Sequence, residues 1–302
     1  MTESNHNFKI VIAVATTAGR TNLLLDTLNS IESCKKTDNF KGVYIVENGG
    51  RKGAEQIVQQ FDEKYYRYVF LGKSGKSAGL NYLLKKYILH DELIIFTDDD
   101  IIVNSQWIEN YYHAAKIHGR NHFYGGSFTA RYEKEPDKSL KQLLPISARG
   151  LTDDEYRDRK IFHGCNWAVF KSDIEQVGLF DENIGPGSST DSTGQETVLQ
   201  KKLLYAGLTP VFIKNNIVQH YVPETRSNIQ WICHRAVRTG IENAYSDNNS
   251  NIKASIYYII KLSFRVTYMY VRNDKKSMNK YLHTLIKTVT KILIKLNRND
   301  NE

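Results

Sequence analysis

The chain has 302 residues, 41% hydrophobic and 25% charged, which is typical of a globular protein and excludes a largely disordered chain. This length accommodates one large α/β domain with an appendage, or two small domains. The formal net charge of +8 lies in the C-terminal part, because residues 251–302 carry 11 Lys/Arg against 3 Asp/Glu, and residues 1–250 carry 30 of each sign. A basic tail attracts anionic partners such as lipid headgroups or nucleic acid.

Cysteine usage and hydropathy exclude several classes of protein. Cys34, Cys165 and Cys233 are scattered and odd in number, so they fit neither a disulfide framework nor a zinc site. No run approaches the roughly 18 apolar residues that a membrane span needs. The polar first residues lack a secretory pattern and predict a cytoplasmic location.

The first third of the chain alternates strands with helices. Apolar and β-branched runs predict strands at residues 9–16, 41–46, 66–71 and 93–97, and helical spacing predicts helices at residues 22–31, 54–61 and 78–89. Such alternation indicates parallel β-α-β units with right-handed crossovers, which place ligands beyond the carboxyl ends of the strands.

The remainder of the chain has a mixed pattern. The predictions are a helix at 106–118, strands at 123–131 and 164–170, a loop at 184–194, a helix at 196–206, an extended segment at 210–218 and helices from 227 onward. The predicted domains are an α/β domain at 1–225, with halves at about 1–105 and 106–225, and a basic, amphipathic helical region at 226–302.

Acidic side chains stand at the predicted strand ends. Asp98, Asp99 and Asp100 directly follow the strand at 93–97, and Glu47 follows the strand at 41–46. Three adjacent carboxylates repel one another, and a divalent cation with a preference for oxygen ligands, Mg²⁺ or Mn²⁺, resolves that conflict. Because side chains alternate on an extended segment, Asp98 and Asp100 point to one side and Asp99 to the other. The alternative is a solvated acidic turn.

An ordered set of motifs makes a resemblance specific. The chain resembles glycosyltransferase family 2, which has a GT-A fold, in the following segments between about residues 8 and 222: Thr16-Thr17-Ala18-Gly19-Arg20, Glu47-Asn48-Gly49, Gly75-Lys76-Ser77-Ala78-Gly79-Leu80-Asn81, the DXD-type Asp98-Asp99-Asp100, Gly164-Cys165-Asn166-Trp167, Gly178-Leu179-Phe180-Asp181-Glu182 and Gly194-Gln195-Glu196-Thr197. The opening segment lacks the Pro and Asn that are usual in the family.

The resemblance implies an inverting, metal-dependent transfer of a sugar from a nucleotide-diphosphate sugar, expected to be a UDP-sugar. Glu196 takes the place of the family's catalytic base, and Gln195 replaces the usual Glu before it. The cofactor is expected to be Mn²⁺ or Mg²⁺, held by Asp100 and Asp98. His220 resembles a family histidine that approaches the metal, although an isolated histidine is more often structural.

The resemblance also implies that residues 1–105 are the nucleotide-binding half and residues 106–225 the acceptor-binding half, and it implies the residues that bind the substrates. The expected nucleotide-sugar contacts are Thr16, Thr17, Arg20, Glu47, Asn48, Lys76, Asn81, Asp98 and Asp99, and the expected acceptor contacts are Gly164, Asn166 and Trp167. Two of these assignments have alternatives. Lys76 either contacts the nucleoside or caps a turn, and Trp167 either stacks on a sugar or packs in the core.

The expected acceptor is a saccharide or a lipid-linked molecule, in cell-surface polysaccharide or glycoconjugate synthesis. The basic tail fits that setting, because Lys280, Lys287, Lys291, Lys295 and Arg298 share one helical face opposite an apolar stripe. This pattern predicts a peripheral helix on the inner face of an anionic membrane. The alternative is a helix that packs on the domain or on a second subunit of a homo-oligomer.

Two other functions compete with glycosyl transfer. Gly75-Lys76-Ser77 lies between a strand and a helix as in a P-loop nucleotide hydrolase or kinase, but Phe70 stands where that loop requires its first glycine. A non-catalytic nucleotide-sugar scaffold on the same fold is the second alternative. Nucleic-acid binding is not expected, because the basic residues lack interleaved aromatic platforms.

Overall fold

The structure of the protein is a computed structural model that describes residues 8–17, 19–152, 154–156, 160–189, 193–246 and 252–299. Its contacts divide the chain into two compact units. The first contains Met1–Thr129 and Gly150–His220, and the second contains Ala130–Arg149 and Tyr221–Glu302. The segment Ala130–Arg149 thus groups with the C-terminal helices, which the sequence does not anticipate. The domain boundary at residue 225 remains a prediction.

A seven-stranded sheet forms the centre of the first unit. Its strands are β1 (Ile10–Thr16), β2 (Phe40–Asn48), β3 (Tyr66–Leu71), β4 (Leu93–Thr97), β6 (His122–Gly125), β9 (Trp167–Phe170) and β10 (Thr209–Phe212), in the order β10-β6-β9-β4-β1-β2-β3. All neighbours are parallel except β9, which runs antiparallel to both β4 and β6. The mostly parallel α/β architecture is as predicted.

Helices connect these strands. They are α1 (Thr21–Glu32), α2 (Ala54–Val58), α3 (Lys76–Lys86), α4 (Trp107–His118), α7 (Lys171–Val177) and α8 (Gln195–Tyr205). Strand β1 is buried along its whole length, as is β4. Strands covered on both faces read as continuous apolar runs, which explains why β1 and β4 are evident in the sequence.

A second sheet has four short strands. They are β5 (Ile101–Ile102), β7 (Phe128–Tyr132), β8 (Gly150–Leu151) and β11 (Val218–Val222), in the order β5-β11-β7-β8. The single strand predicted at 123–131 is wrong, because β6 and β7 are separate strands of different sheets, divided at Gly126 and Ser127. The single extended segment predicted at 210–218 is wrong for the same reason, since β10 and the start of β11 belong to different sheets.

The second unit is mainly helical. It contains α5 (Lys138–Lys141), α6 (Ile146–Arg149), a 3₁₀ turn at Glu224–Arg226, and the long helices α9 (Ile229–Ser246), α10 (Ile252–Val271) and α11 (Lys275–Asn299). Leu144, Ala148, Val222 and Ile232 form its small buried core. Among the described residues, no helix is both long enough and apolar enough to cross a membrane. The side chain of Arg298, part of the predicted basic face, lies outside the described residues.

Candidate active site at the carboxyl ends of the strands

The carboxyl ends of β1, β2 and β4 meet at one edge of the central sheet. Strand β1 lies between the other two, with Thr16 opposite Glu47 and Val14 opposite Thr97. The three aspartates leave the sheet directly after Thr97, whose hydroxyl donates a hydrogen bond of 2.7 Å to the carbonyl of Cys165. The sheet register therefore fixes where the acidic segment begins.

A short antiparallel pairing brings His220 to the aspartates. In β5, directly after Asp100, Ile101 pairs with His220 of β11. The imidazole Nε2 lies 3.4 Å from Asp100 Oδ1, and both side chains are buried. The pairing brings together Asp100 and His220, which are 120 positions apart in the chain, and this is why the sequence alone leaves the role of His220 open.

Asp98, Asp100 and His220 form a group that can hold a metal ion. One ligand atom from each lies within 4.8 Å of the other two. Among the described residues, Asp100 Oδ1 and His220 Nδ1 are buried and have no hydrogen-bond partner. Buried polar atoms without partners are costly, and a cation relieves that cost at a carboxylate oxygen. Two carboxylates and one imidazole are suitable ligands for Mn²⁺ or Mg²⁺, the metals predicted here.

Asp99 points away from this group and contacts the loop that follows β1. The Thr16 hydroxyl donates a hydrogen bond to Asp99, and the Arg20 guanidinium lies 3.4 Å from Asp99 and 3.0 Å from Asp100. Burial and the neighbouring charge of Asp100 raise the pKa of Asp99 to about 6. Thr17, by contrast, is exposed. Residue 18 of the opening motif lies outside the described residues.

Lys76, the first residue of α3, forms a half-buried ion pair with Asp98. Burial disfavours the charged form of each side chain, but the attraction between the two charges outweighs that cost. The pKa of Lys76 is therefore raised, and the pKa of Asp98 is lowered to about 2, to which His220 also contributes. The backbone holds Lys76 in place, since its N–H donates to the carbonyl of Pro186 at 3.0 Å. Neither of the predicted roles of Lys76 included this ion pair.

Glu196 lies near Lys76, in the first turn of α8. Burial raises the pKa of its carboxyl, and the charge of Lys76 and the N–H groups of Glu196 and Gly164 oppose that rise. Gly164 is in close contact with this carboxylate: a β-carbon at position 164 would lie 3.1 Å from Glu196 Cδ. Gly164 thus contacts the predicted base directly.

Glu47 and Asn48 are buried at the end of β2, where they organise loops. Glu47 accepts hydrogen bonds from the backbone N–H of Lys52 at 2.6 Å and from the Tyr68 hydroxyl at 2.6 Å. Asn48 donates to the carbonyl of Thr16 at 3.1 Å and accepts from the N–H of Gly75 at 3.2 Å. Their predicted nucleotide contacts remain untested predictions.

Asn81 fixes another loop, at residues 180–182. Its amide donates to the carbonyl of Phe180 at 2.9 Å and to Glu182 at 3.0 Å, and its oxygen accepts from the N–H of Phe180 at 3.1 Å. Every polar atom of the side chain therefore has a partner within the protein. The nucleotide contact predicted for Asn81 finds no support in this geometry.

Asn166 and Trp167 belong to the interior. Asn166 accepts from the Trp107 indole and the Tyr111 hydroxyl, each at 2.9 Å, and donates to two backbone carbonyls. Trp167 is 1% exposed and stacks on Phe96, with ring centroids 4.8 Å apart. Both side chains are held within the protein, as the alternative of a core tryptophan describes for Trp167, and their acceptor contacts stay predictions.

His163 is a site residue that the sequence does not reveal. Its ring lies 5.8 Å from the ring of His220 and 4.4 Å from that of Phe128, and its charge contributes to the lowered pKa of Asp98. A histidine directly before the motif at residues 164–167 was the one available signal. A histidine at this position suggests no role by itself, because its proximity to His220 is visible only in the folded protein.

Comparisons with known proteins agree with this geometry. The model of the family "Glycosyl transferase family 2" matches residues 13–178, whereas no curated protein sequence matches the chain. One similar structure is the mannosyltransferase PcManGT from Pyrobaculum calidifontis in complex with GDP-Man and Mn²⁺, at a TM-score of 0.56 and 16% identity, covering 94% of this chain and 87% of that one.

A second similar structure is GalNAc-T7 with UDP, GalNAc and Mn²⁺. Its TM-score is 0.53 at 13% identity, and the match covers 71% of this chain and 44% of that one. At these identities the two neighbours show the fold, which is of the GT-A type, as predicted. The family match extends over more than half of the chain and includes the C-terminal part of β1, all of β2 and β4, and the three aspartates. The chain belongs to glycosyl transferase family 2.

Proposed function

We propose that this protein is an inverting, hexosyltransferase-like glycosyltransferase that moves a sugar from a nucleotide-diphosphate sugar to a hydroxyl of a saccharide or lipid-linked acceptor. The observation that carries the proposal is the grouping of two unlike sites at one edge of the sheet. Asp98, Asp100 and His220 can hold a cation, and near them a half-buried carboxyl, Glu196, has a raised pKa. Charge neutralisation and one base are what such a transfer requires of a protein.

The metal is proposed to be Mn²⁺ or Mg²⁺, held by Asp98, Asp100 and His220. Bound there, it would supply positive charge to the diphosphate leaving group. Lys76 already pairs with Asp98, so part of the negative charge at this edge is balanced before any ligand arrives. Arg20 lies on the other side of the aspartates and is partly exposed, which leaves its guanidinium available to a phosphate.

Glu196 is proposed to be the base that takes the proton from the acceptor hydroxyl. A base must be ionised at the working pH, and the Lys76 ammonium favours the ionised carboxylate. The raised pKa brings the affinity of the carboxyl for a proton closer to that needed near neutral pH. Gly164 leaves the space into which Glu196 packs.

The donor is proposed to be a UDP-sugar, on the basis of the family resemblance. Thr16, Thr17, Asn48 and Glu47 lie at the ends of β1 and β2, next to the aspartates, which is where ligands bind in sheets of this kind. A GDP-sugar is the alternative, because PcManGT holds GDP-Man. Thermal-shift titration with UDP- and GDP-sugars in the presence of Mn²⁺ distinguishes them, since ligand binding raises the melting temperature.

A non-catalytic nucleotide-sugar scaffold is the remaining alternative, and two variants separate it from an enzyme. Glu196→Gln should abolish sugar transfer and leave donor binding unchanged. Asp100→Ala should abolish metal-dependent donor binding. Wild-type protein that binds a donor but transfers no sugar to any acceptor would favour the scaffold. The P-loop alternative loses its basis, because Lys76 pairs with Asp98 and the chain belongs to a glycosyltransferase family.

The proposed setting is the synthesis of a cell-surface polysaccharide or glycoconjugate at the inner face of the cell membrane. The support is the positive charge of the C-terminal region, since residues 251–302 carry 11 Lys/Arg and 3 Asp/Glu. Protein pelleted with anionic vesicles should then transfer sugar to a lipid-linked acceptor. Homo-oligomer formation is a second proposal for the same region.

A further inference from the structure

Helix α10 has an unusual composition for a helix of the second unit. Residues 252–271 contain four tyrosines, one phenylalanine and eight other large apolar residues, together with two lysines and one arginine. They contain no aspartate or glutamate. A helix that is aromatic and exclusively basic in its charges does not resemble an ordinary solvent-exposed helix, in which charges of both signs alternate.

One face of α10 accounts for its packing inside the unit. Leu262 is buried, and Ile259 and Val266, three and four residues away, are half-buried. This face packs against α11. The packing of α10 therefore uses only a narrow stripe of the helix and leaves the opposite side uncovered by described residues.

The opposite face exposes large aromatic side chains. Tyr257 is 70% exposed, Phe264 is 72% exposed and Tyr268 is 54% exposed. With Ile260 they follow a spacing of three to four residues, so they form one continuous stripe. A groove of about 460 Å³ runs along this stripe, lined also by Lys261 and Arg265. Contiguous exposed apolar surface of this kind marks a binding face.

Basic side chains flank one edge of the stripe. Lys261, Arg265 and Arg272 are all exposed. Lys261 lies four residues after Tyr257, Arg265 four residues after Lys261, and Arg272 four residues after Tyr268. Arg272 donates a hydrogen bond of 3.0 Å to the Tyr268 hydroxyl, so cation and aromatic ring form one unit. We call this surface, made of Tyr257, Ile260, Lys261, Phe264, Arg265, Tyr268 and Arg272, the aromatic-basic face.

We propose that the aromatic-basic face docks on an anionic lipid surface. Tyrosine and phenylalanine place their rings at the level of lipid headgroups, and lysine and arginine extend their charges to anionic phosphates. A second copy of this chain fits less well, because a symmetric interface would bring the three cations against their own copies with no acidic residue of the helix between them.

This inference deepens the proposed membrane association and assigns it to α10 instead of α11. Helix α11 packs against α5, α9 and α10, and its side chains from Tyr281 to Thr290 are all half-buried. Its approach to α9 is close, since a β-carbon on Gly240 would lie 2.6 Å from the carbonyl oxygen of Lys287. The apolar stripe that predicted membrane contact for α11 is thus used in packing within the unit.

The test is co-sedimentation of the full chain with two kinds of vesicle, equal parts phosphatidylcholine and phosphatidylglycerol, and phosphatidylcholine alone. Wild-type protein should bind the first and not the second. Lys261→Gln/Arg265→Gln/Arg272→Gln should weaken binding about a hundredfold, since each cation contributes about fivefold at an anionic surface. Tyr257→Ser/Phe264→Ser should weaken it about tenfold or more, since buried aromatic area is lost.

The matched control is Lys280→Gln/Lys287→Gln/Lys291→Gln on α11. It removes the same charge from the same unit and should weaken binding far less than the α10 triple variant. Equal or greater weakening by the control would overturn the inference, as would wild-type binding that ignores lipid charge. A dimer in light scattering that Tyr257→Ser/Phe264→Ser dissociates would instead identify a second copy as the occupant.

All variants should transfer sugar to a soluble acceptor as the wild type does, because none of these residues lies in the active site. A loss of vesicle binding with intact transfer therefore concerns the aromatic-basic face alone. Failure of transfer in the wild type would count against the proposed enzyme activity and would leave the vesicle result unaffected.

Discussion

Gly164 lies against the carboxyl group of Glu196, so closely that a β-carbon at position 164 would be 3.1 Å from Cδ and 3.4 Å from Oε1. The same carboxyl is half-buried and interacts with the charge of Lys76. A methyl group at position 164 would therefore require the proposed base to move by a few tenths of an ångström.

Gly164→Ala should lower the turnover number by about tenfold to a hundredfold, because a displacement of the base by a fraction of an ångström disturbs its alignment with the acceptor. The KM for the donor should stay unchanged. Steady-state kinetics measure both. Gly72→Ala is the control, since a β-carbon there meets nothing closer than 3.9 Å. Equal effects of the two variants would argue against the contact.

The pH dependence of transfer should follow Glu196. Burial raises the pKa of this carboxyl above its ordinary 4.5, and a base works only when unprotonated. Activity should therefore be full above the raised pKa and fall as the pH drops through it, with the midpoint above 4.5. Lys76→Met should move that midpoint further up, because Lys76 lowers the pKa of Glu196. If the acidic limb of the pH–activity profile did not move in Lys76→Met, the assignment of that limb to Glu196 would be contradicted.

Lys76→Met should also destabilise the protein by up to about 3 kcal/mol, because it leaves the half-buried Asp98 without its partner. Added Mn²⁺ should restore more of the melting temperature in this variant than in the wild type, since the cation replaces the lost charge. Lys73→Met is the control, because Lys73 pairs with Glu182 at the surface and should change stability by less than about 1 kcal/mol. Thermal denaturation with and without Mn²⁺ measures these effects.

His220→Gln should weaken Mn²⁺ binding by at least about tenfold, a loss typical even of groups that only orient metal ligands. Calorimetric titration with Mn²⁺ alone provides the affinity. His163→Gln is the matched control: its ring is 5.8 Å from that of His220, but it is outside the group of three ligands. If His220→Gln bound Mn²⁺ as tightly as the wild type does, His220 would not be a ligand of the metal.

Trp167→Leu should reduce stability by about 2–4 kcal/mol, because its ring is 1% exposed and packs on Phe96. The KM for the acceptor should remain that of the wild type at temperatures where the variant is folded. Denaturant unfolding and kinetics with a varied acceptor measure the two quantities. A raised KM with unchanged stability would instead support the sugar-stacking role.

The sequence by itself determined several elements in the first third of the chain. Strands at residues 66–71 and 93–97 have the predicted bounds, and the helix predicted at 22–31 differs at each end by one residue. Each of these elements is one uninterrupted segment of the chain. Its buried positions are therefore visible in the sequence as apolar residues at regular spacing. The cluster of aspartates after β4 was equally visible, because adjacent residues at a strand end share one location.

Only the tertiary structure decided which distant residues join that cluster. His220 reaches Asp100 through the pairing of β5 with β11, and Lys76 reaches Asp98 because backbone contacts hold the start of α3. The sequence also could not separate β6 from β7, since an apolar run does not record which sheet it joins. Hydrophobic periodicity shows that one face of a helix or strand is buried, but it does not show what that face packs against. For the apolar face of α11, the packing partner is other helices of the same unit.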